Sequence, residues 1–337
     1  MEILKSILDI KIPQILYHYT DANAFAGIIT KKEIWASHIR FMNDYTEFKF
    51  AIDKFKELIE EFIKGKKIVD KTSSEEIIEK FETLIGKIDV FIFSLSEKKD
   101  ELNQWRAYGK SIPNYSLAFN ENKLVQNASI ISTKDEIIEY IERYVYKNGH
   151  NPISKILLPC IYDGEKQNNL LKEILEDSYK KALEKKDFIT KFTEFISKKF
   201  IFYAPLIKNK DYIDEKEWRI VVLFDEYNQY VTEKKKKQEN KINILKDDTD
   251  SLDHFPKFRN ARVEKIEFRS NGSYFIPYYK LDLKNIDSIQ RIYIGACPDY
   301  DTVYESVEYM LRKNGIDYNR IKDEEIIQKS KLAYRNW

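Results

Sequence analysis

Apolar residues along this chain switch between a period of two and spacings of three and four, which predicts strands alternating with amphipathic helices. The stretch "LYHYTDANAFAGIITKKEIWAS" opens with a strand over 15–19. Asp21 is placed to cap a helix starting at Ala22, which turns Phe25, Ile28 and Ile29 to one side. "EIWAS" at 33–37 predicts a second strand. A longer helix follows, with Tyr45, Phe48, Ile52, Phe55, Ile59 and Phe62 at spacings of three and four. Ser73 and Glu76 have the spacing of a capping box, opening a helix with Ile77, Phe81, Leu84, Ile85 and Ile88 on its apolar face.

"DVFIFSLSE" predicts a strand, "DELNQWRAYGK" a short helix and "YSLAFN" another strand. Thr133 with Glu136 caps a further helix, and "KILLPCIYD" is an apolar strand. Residues 167–202 form one long or two successive helices, before a strand at "EWRIVVLF" (217–224). Strands near 263–269, 274–283 and 289–296 and a helix over 302–314 lead to a frayed C-terminal segment. Residues 225–260 are polar and lack clear periodicity, which predicts a long loop or mobile insertion. Lys234 to Lys237 within it can touch phosphate, though a run of lysines is more often simply solvated. The pattern predicts an α+β fold: a single domain over 1–337, with a helical insertion at about 130–205.

Composition narrows the function classes. The 57 Lys and Arg residues nearly balance the 56 Asp and Glu, so bulk charge argues neither for nor against nucleic acid. The 43% hydrophobic residues suffice for a substantial core. No 18-residue apolar run is present, and the N-terminus is too short and charged for a signal peptide; a cytoplasmic protein with no membrane partner is expected. Cys160 and Cys297 have no neighbours at metal-ligand spacing and are expected to be reduced thiols. The 23 Tyr and 20 Phe provide many rings for stacking, although the codon bias of an AT-rich genome is the favoured explanation. No phosphate-binding glycine loop, dinucleotide fingerprint, zinc-protease motif, nucleophile elbow or EF-hand loop occurs.

Three segments carry candidate chemistry. In "YHYT", His18 points to one face of its strand and Tyr17 and Tyr19 to the other; His18 is either a ligand-binding group or a core histidine satisfied by a carbonyl. In "FIFSLSEKKDELNQWRAYGK", Ser94 and Ser96 share a strand face and can bond a ligand or the next backbone turn. Trp105 and Tyr108, three apart on a helix, form either core packing or a wall for a planar ring. In "DYIDEKEWRIVVLF", Glu215 and Glu217 form an E-x-E pair at the entry to a strand, and close carboxylates need cations or a ligand to offset their repulsion. Arg219 is spaced to neutralise Glu217.

Together these segments resemble the ADP-ribosyltransferase superfamily. "YHYT" with the helix ending in "GIITKKEIWAS" resembles the first β–α–β unit of its histidine–tyrosine–glutamate branch and of the toxin-like DNA ADP-ribosyltransferases, and "EKEWRIVV" resembles the superfamily's catalytic glutamate segment. The order "HYT…WAS…ND…E", "FSLSE…W…Y", "EKEWRIV", "IPYYKL" and "IYIGA", over about 15–315, is similar to an uncharacterised bacterial family catalogued as a domain of unknown function and associated with phage-defence gene neighbourhoods.

The resemblance implies a split mixed or antiparallel β core with helical insertions, and NAD as substrate. It also implies Glu217 as the carboxylate stabilising an oxocarbenium-like state, and Glu215 as the group that orients or deprotonates the acceptor. His18 would bond an NAD ribose hydroxyl with Thr20 in support, and Tyr108 or Trp105 would stack on nicotinamide. Tyr19 stands where many members carry glycine. The implied role is a bacterial toxin or anti-phage effector with a protein or nucleic-acid acceptor, and an antitoxin or sensor protein as partner. Asn43 and Asp44 border the same cleft or form a helix cap.

Two other classes stay open. Asp214-Glu215-Lys216, with Asp44 or Asp89 as a distant ligand, fits the acidic pattern of a metal-dependent nuclease. A non-catalytic binding domain on the same fold is the third.

Overall fold

The computed structural model describes residues 2–42, 45–66, 71–108, 112–146, 153–225, 265–270 and 272–332. The predicted loop over 225–260, with Lys234 to Lys237, falls almost wholly outside them, as do Asn43 and Asp44.

The first unit forms as its sequence pattern requires. Strand β1 (Ile15–Thr20) leads to α2 (Ala22–Lys31), following a short α1 (Glu2–Leu8). The Asp21 carboxylate accepts from the Ala24 amide at 2.9 Å, closing the helix start. Strand β2 (Glu33–His38) follows at once. Then come α3 (Tyr45–Lys66), α4 (Lys71–Ile85), β3 (Ile88–Ser96), α5 (Leu102–Tyr108), β4 (Tyr115–Asn120) and α6 (Glu121–Ala128). Helix α7 (Lys134–Tyr146), capped by Thr133 and Glu136 as expected, precedes β5 (Ile153–Pro159).

The stretch predicted as one or two helices is two, α8 (Gly164–Leu183) and α9 (Phe188–Tyr203). Beyond them lie β6 (Glu217–Asp225), β7 (Ile266–Ser270), β8 (Phe275–Asp282), β9 (Ile289–Ile294) and α10 (Tyr300–Lys313). The C-terminal segment, expected to fray, instead forms α11 (Tyr318–Asp323) and β10 (Ile327–Lys329). It is held because Ile321, Ile326 and Ile327 are buried in the core. Helix α4 begins at Lys71, so Ser73 lies within the helix and not before its first turn.

Among the described residues the strands form one open mixed sheet, antiparallel except where β10 pairs with β9 in parallel. The sheet forks at β3. One edge of β3 is taken along its whole length by β6, from Ile88↔Asp225 to Ser96↔Glu217. The opposite edge is shared: β2 pairs near Phe91 and Ile92, and β1 pairs only at Tyr17↔Ser96. The β1–β4–β9–β10 arm and the β2–β8–β7 arm thus diverge from one edge of β3, with Ser94 at the gap.

Helices cover both faces. On one face, Val90, Ile92, Val221 and Leu223 pack against α3, α4, α7, α8 and α9 through Phe55, Phe81, Ile141, Leu171 and Phe200. On the other, Phe91, Phe93, Ile220 and Val222 pack against α2 and α10 through Phe25, Ile29, Val307 and Leu311. The chain is a mixed α and β protein with apolar layers on both sides of its sheet. Among the described residues, no helix is long and apolar enough to cross a membrane.

Candidate functional site

A cavity opens at the C-terminal end of β3, beside the fork. Tyr17, His18, Tyr19, Ser94, Leu95, Ser96, Gln104, Tyr108, Glu215 and Glu217 line it. Its volume is about 40 Å³, room for a few water molecules. Register explains most of the lining. Tyr17 pairs with Ser96 and Ser96 with Glu217, so these three side chains leave the sheet on one face.

His18 is one residue out of that phase. Its ring stacks on Phe93, which belongs to the opposite core, at 4.2 Å between centroids. It borders the cavity only because the sheet is forked. Its Nδ1 donates to the Ser94 carbonyl at 2.9 Å; a carbonyl can only accept, so that nitrogen carries the proton. Burial lowers the His18 pKa to about 4, against the opposing pull of the Ser94 carbonyl. The ring is therefore neutral at pH 7, and Nε2 is an acceptor.

Glu217 is the most tightly held group. Its carboxylate accepts from Lys208 Nζ at 2.6 Å, Arg219 Nε at 2.8 Å and Arg219 Nη2 at 3.0 Å. Lys208 also reaches Glu215 at 2.7 Å, and Arg219 Nη1 donates to the Pro205 carbonyl at 2.5 Å. Burial by itself would raise the Glu217 pKa; the two cations and their hydrogen bonds outweigh it and bring it down to about 2. Two carboxylates and two cations thus form a charge-balanced cluster. The E-x-E spacing was a real signal of proximity, and the Arg219 pairing raised by the sequence is realised as a fork-to-fork contact.

Lys208 was missed. It enters from the 3₁₀ turn after α9, Ala204–Leu206, and its carbonyl is held by Gln167 Nε2 at 2.8 Å. Its signal in the sequence is a lysine directly after the apolar run "FIFYAPLI", since a lysine inside such a run needs a counter-charge.

The other expected residues divide. Ser96 Oγ donates to the Glu215 carbonyl at 2.6 Å and accepts from the Lys98 amide, which closes the turn after β3. Tyr19 OH donates to the Lys98 carbonyl and accepts from the Glu101 amide. Trp105 is fully buried, edge-on to Tyr19, with Nε1 bonded to Asp100; the interior uses it, and it does not line the cavity. Thr20 is buried and does not line it either. On α5 the residues that reach the cavity are Gln104 and Tyr108, four apart and so on one side of the helix.

Of the nuclease set, Asp44 lies outside the described residues, and Asp89 is not brought to the Asp214-Glu215-Lys216 triplet. Asp214 and Lys216 are exposed, and Asp89 lies seven residues back along β3, about 23 Å from the Ser96 end. Asp89 is bonded there to His38 Nε2 at 3.2 Å. Among the described residues, no group of three or more His, Cys, Asp or Glu is placed to hold a metal ion. Cys160 and Cys297 are not joined in a disulfide.

Residues 104–220 match the family described as "Protein of unknown function (DUF2971)". The matched span includes Gln104, Tyr108, Lys208, Glu215, Glu217 and Arg219, and leaves β1 with His18 outside it. No curated protein and no solved structure matches the chain.

Proposed function

We propose that the protein is an NAD-consuming enzyme of the ADP-ribosyltransferase type, transferring ADP-ribose to a protein or nucleic-acid acceptor or, with water as acceptor, hydrolysing NAD. The supporting observation is convergence. His18, the serines of β3 and Glu217, up to two hundred residues apart, border one cavity at the sheet's fork.

In this reading the bond between ribose C1′ and the nicotinamide nitrogen breaks, and nicotinamide leaves with the electron pair. The positive charge developing on the ribose lies beside Glu217, which stays ionised at any physiological pH. Three protein donors already occupy that carboxylate, leaving about one further lone-pair direction for a ribose hydroxyl. Arg219 and Lys208 weaken its field, so its part is to hold and orient that hydroxyl. Glu215, partly exposed, takes the proton from the acceptor as its oxygen or nitrogen bonds to C1′. Tyr108 supplies the ring against nicotinamide. A cavity of about 40 Å³ does not contain that ring, so substrate entry requires the Tyr108 ring on α5 to swing outward. The cellular role consistent with this chemistry is a toxin or anti-phage effector.

The test is incubation of the full chain with labelled NAD and cell lysate, following label transfer and free nicotinamide. Expected is one or both; neither, under conditions where NAD binds, refutes the catalytic reading. The pairwise variant Glu217→Gln with Lys208→Met removes one charge of each sign. It should lower the rate by about 10²-fold if the carboxylate holds the ribose hydroxyl in place; an unchanged rate removes Glu217 from the mechanism.

A further inference from the structure

The polar groups around the cavity fall into two sets. Glu217, Glu215, Ser96 and the Tyr19 hydroxyl are engaged by Lys208, Arg219 and backbone groups. Gln104 is different. It is only 5% exposed and lines the cavity, yet its side-chain amide makes no hydrogen bond to any described residue. The Ser94 hydroxyl, also on the cavity, makes none either. The amide of a buried side chain is normally paired; that of Gln104 is not sealed in the interior but opens on the cavity, where a ligand can supply the partner. Gln167, equally buried in the same protein, follows the rule by donating to the Ile161 and Lys208 carbonyls.

An unpaired amide presents a carbonyl acceptor and an N–H₂ donor side by side. The partner that satisfies both is a group with the reverse pair, a primary carboxamide. A carboxylate would set an oxygen against the Gln104 carbonyl, and the neighbouring cations are already neutralised by Glu215 and Glu217, so nothing here favours an anion.

We propose that Gln104 is a specificity-determining residue that reads the carboxamide of the substrate's nicotinamide end and rejects the corresponding acid. This rests on the NAD reading above. Adenine offers a similar donor–acceptor edge, but Gln104 lines the same small cavity as Glu217, at the bond that breaks, where the carboxamide and not the distant adenine belongs.

The experiment measures binding of NAD, its nicotinic acid analogue and its hypoxanthine analogue to wild type and to Gln104→Leu and Gln104→Glu, by calorimetry on the full chain. Wild type should prefer NAD over the acid analogue by about tenfold or more, the worth of one satisfied against one unsatisfied buried hydrogen-bonding group. Gln104→Leu should lose that preference while still binding both weakly, and Gln104→Glu should still bind NAD through one hydrogen bond and reject the acid analogue more strongly. If NAD binds and the preference survives in Gln104→Leu, the role of Gln104 is refuted and the NAD reading stands. If discrimination against the hypoxanthine analogue is lost instead, the site reads adenine and the proposal is overturned. If none of the three dinucleotides binds wild type, the NAD reading fails and this inference with it. Circular dichroism on each variant separates loss of folding from loss of recognition; should Gln104→Leu fail to fold, Gln104→Glu carries the same comparison.

Discussion

Replacing Glu217 by glutamine tests the charge cluster directly. In the native protein Lys208 is 1% exposed, Arg219 2% and Glu217 4%, and three short hydrogen bonds link them. Glutamine keeps the size but removes the charge, leaving two buried cations with only the partly exposed Glu215 to balance them. Removing one partner of a buried ion pair costs about 3–5 kcal/mol, because the remaining charge stays desolvated. For 337 residues that corresponds to a melting point lower by roughly 4–7 °C. Urea unfolding followed by far-ultraviolet circular dichroism gives the cost as a shifted midpoint at unchanged slope.

Adding Lys208→Met to Glu217→Gln removes one cation and should recover part of the loss, giving a coupling energy above about 1 kcal/mol in the double-mutant cycle. A Glu217→Gln protein within about 0.5 kcal/mol of wild type, or a coupling energy of zero, would refute the claim that the cluster is a closed, mutually dependent unit. The same reasoning means that the single glutamine variant confounds catalysis with stability, which is why the charge-balanced pair is the better probe of activity.

Acid should destabilise the protein in two steps. The unfolded His18 takes up a proton near its ordinary value of 6.5 while the folded ring resists until about 4, so stability falls as pH drops through that window, by up to about 3 kcal/mol. Glu217, ordinarily near 4.5 and held down to about 2, adds a further loss below 4.5. Urea midpoints from pH 7.5 to 4 in wild type and His18→Gln report the first step; identical slopes would exclude His18 as its source. At Gly295 an added methyl carbon would meet two Trp105 ring carbons at 3.1 Å and the Asn114 carbonyl at 3.2 Å. Gly295→Ala should therefore cost about 1–3 kcal/mol by overpacking, read as a lower melting temperature, and a neutral result would mean that Trp105 can shift.

Features that depend on a few adjacent residues were legible. Asp21 and Thr133 cap their helices as their spacing predicts, and the alternation of "YHYT" sends His18 and Tyr17 to different faces. The same local logic misplaced the start of α4, where Ser73 and Glu76 have capping spacing but the helix begins at Lys71. The expected cavity wall of Trp105 and Tyr108 became Gln104 and Tyr108. A three-residue spacing cannot say which side of a two-turn helix faces inward, and Trp105 is claimed by Tyr19 and Asp100. Gln104 had no signal at all, because a glutamine on a short helix reads as solvent-facing until its neighbours are known.

By itself, the sequence determined the alternation of strands and helices, the face each residue takes within its own element, and the need of two glutamates two residues apart for cations. Those properties follow from backbone geometry and short-range periodicity. Tertiary structure alone decided that β1 and β2 share one edge of β3, that Tyr17 and not His18 leaves the sheet on the side of Glu217, and that Lys208 arrives from the turn that follows α9. Pairing between strands a hundred residues apart is set by the summed burial of whole faces, and a single-residue change of register exchanges those faces. No local pattern carries that sum.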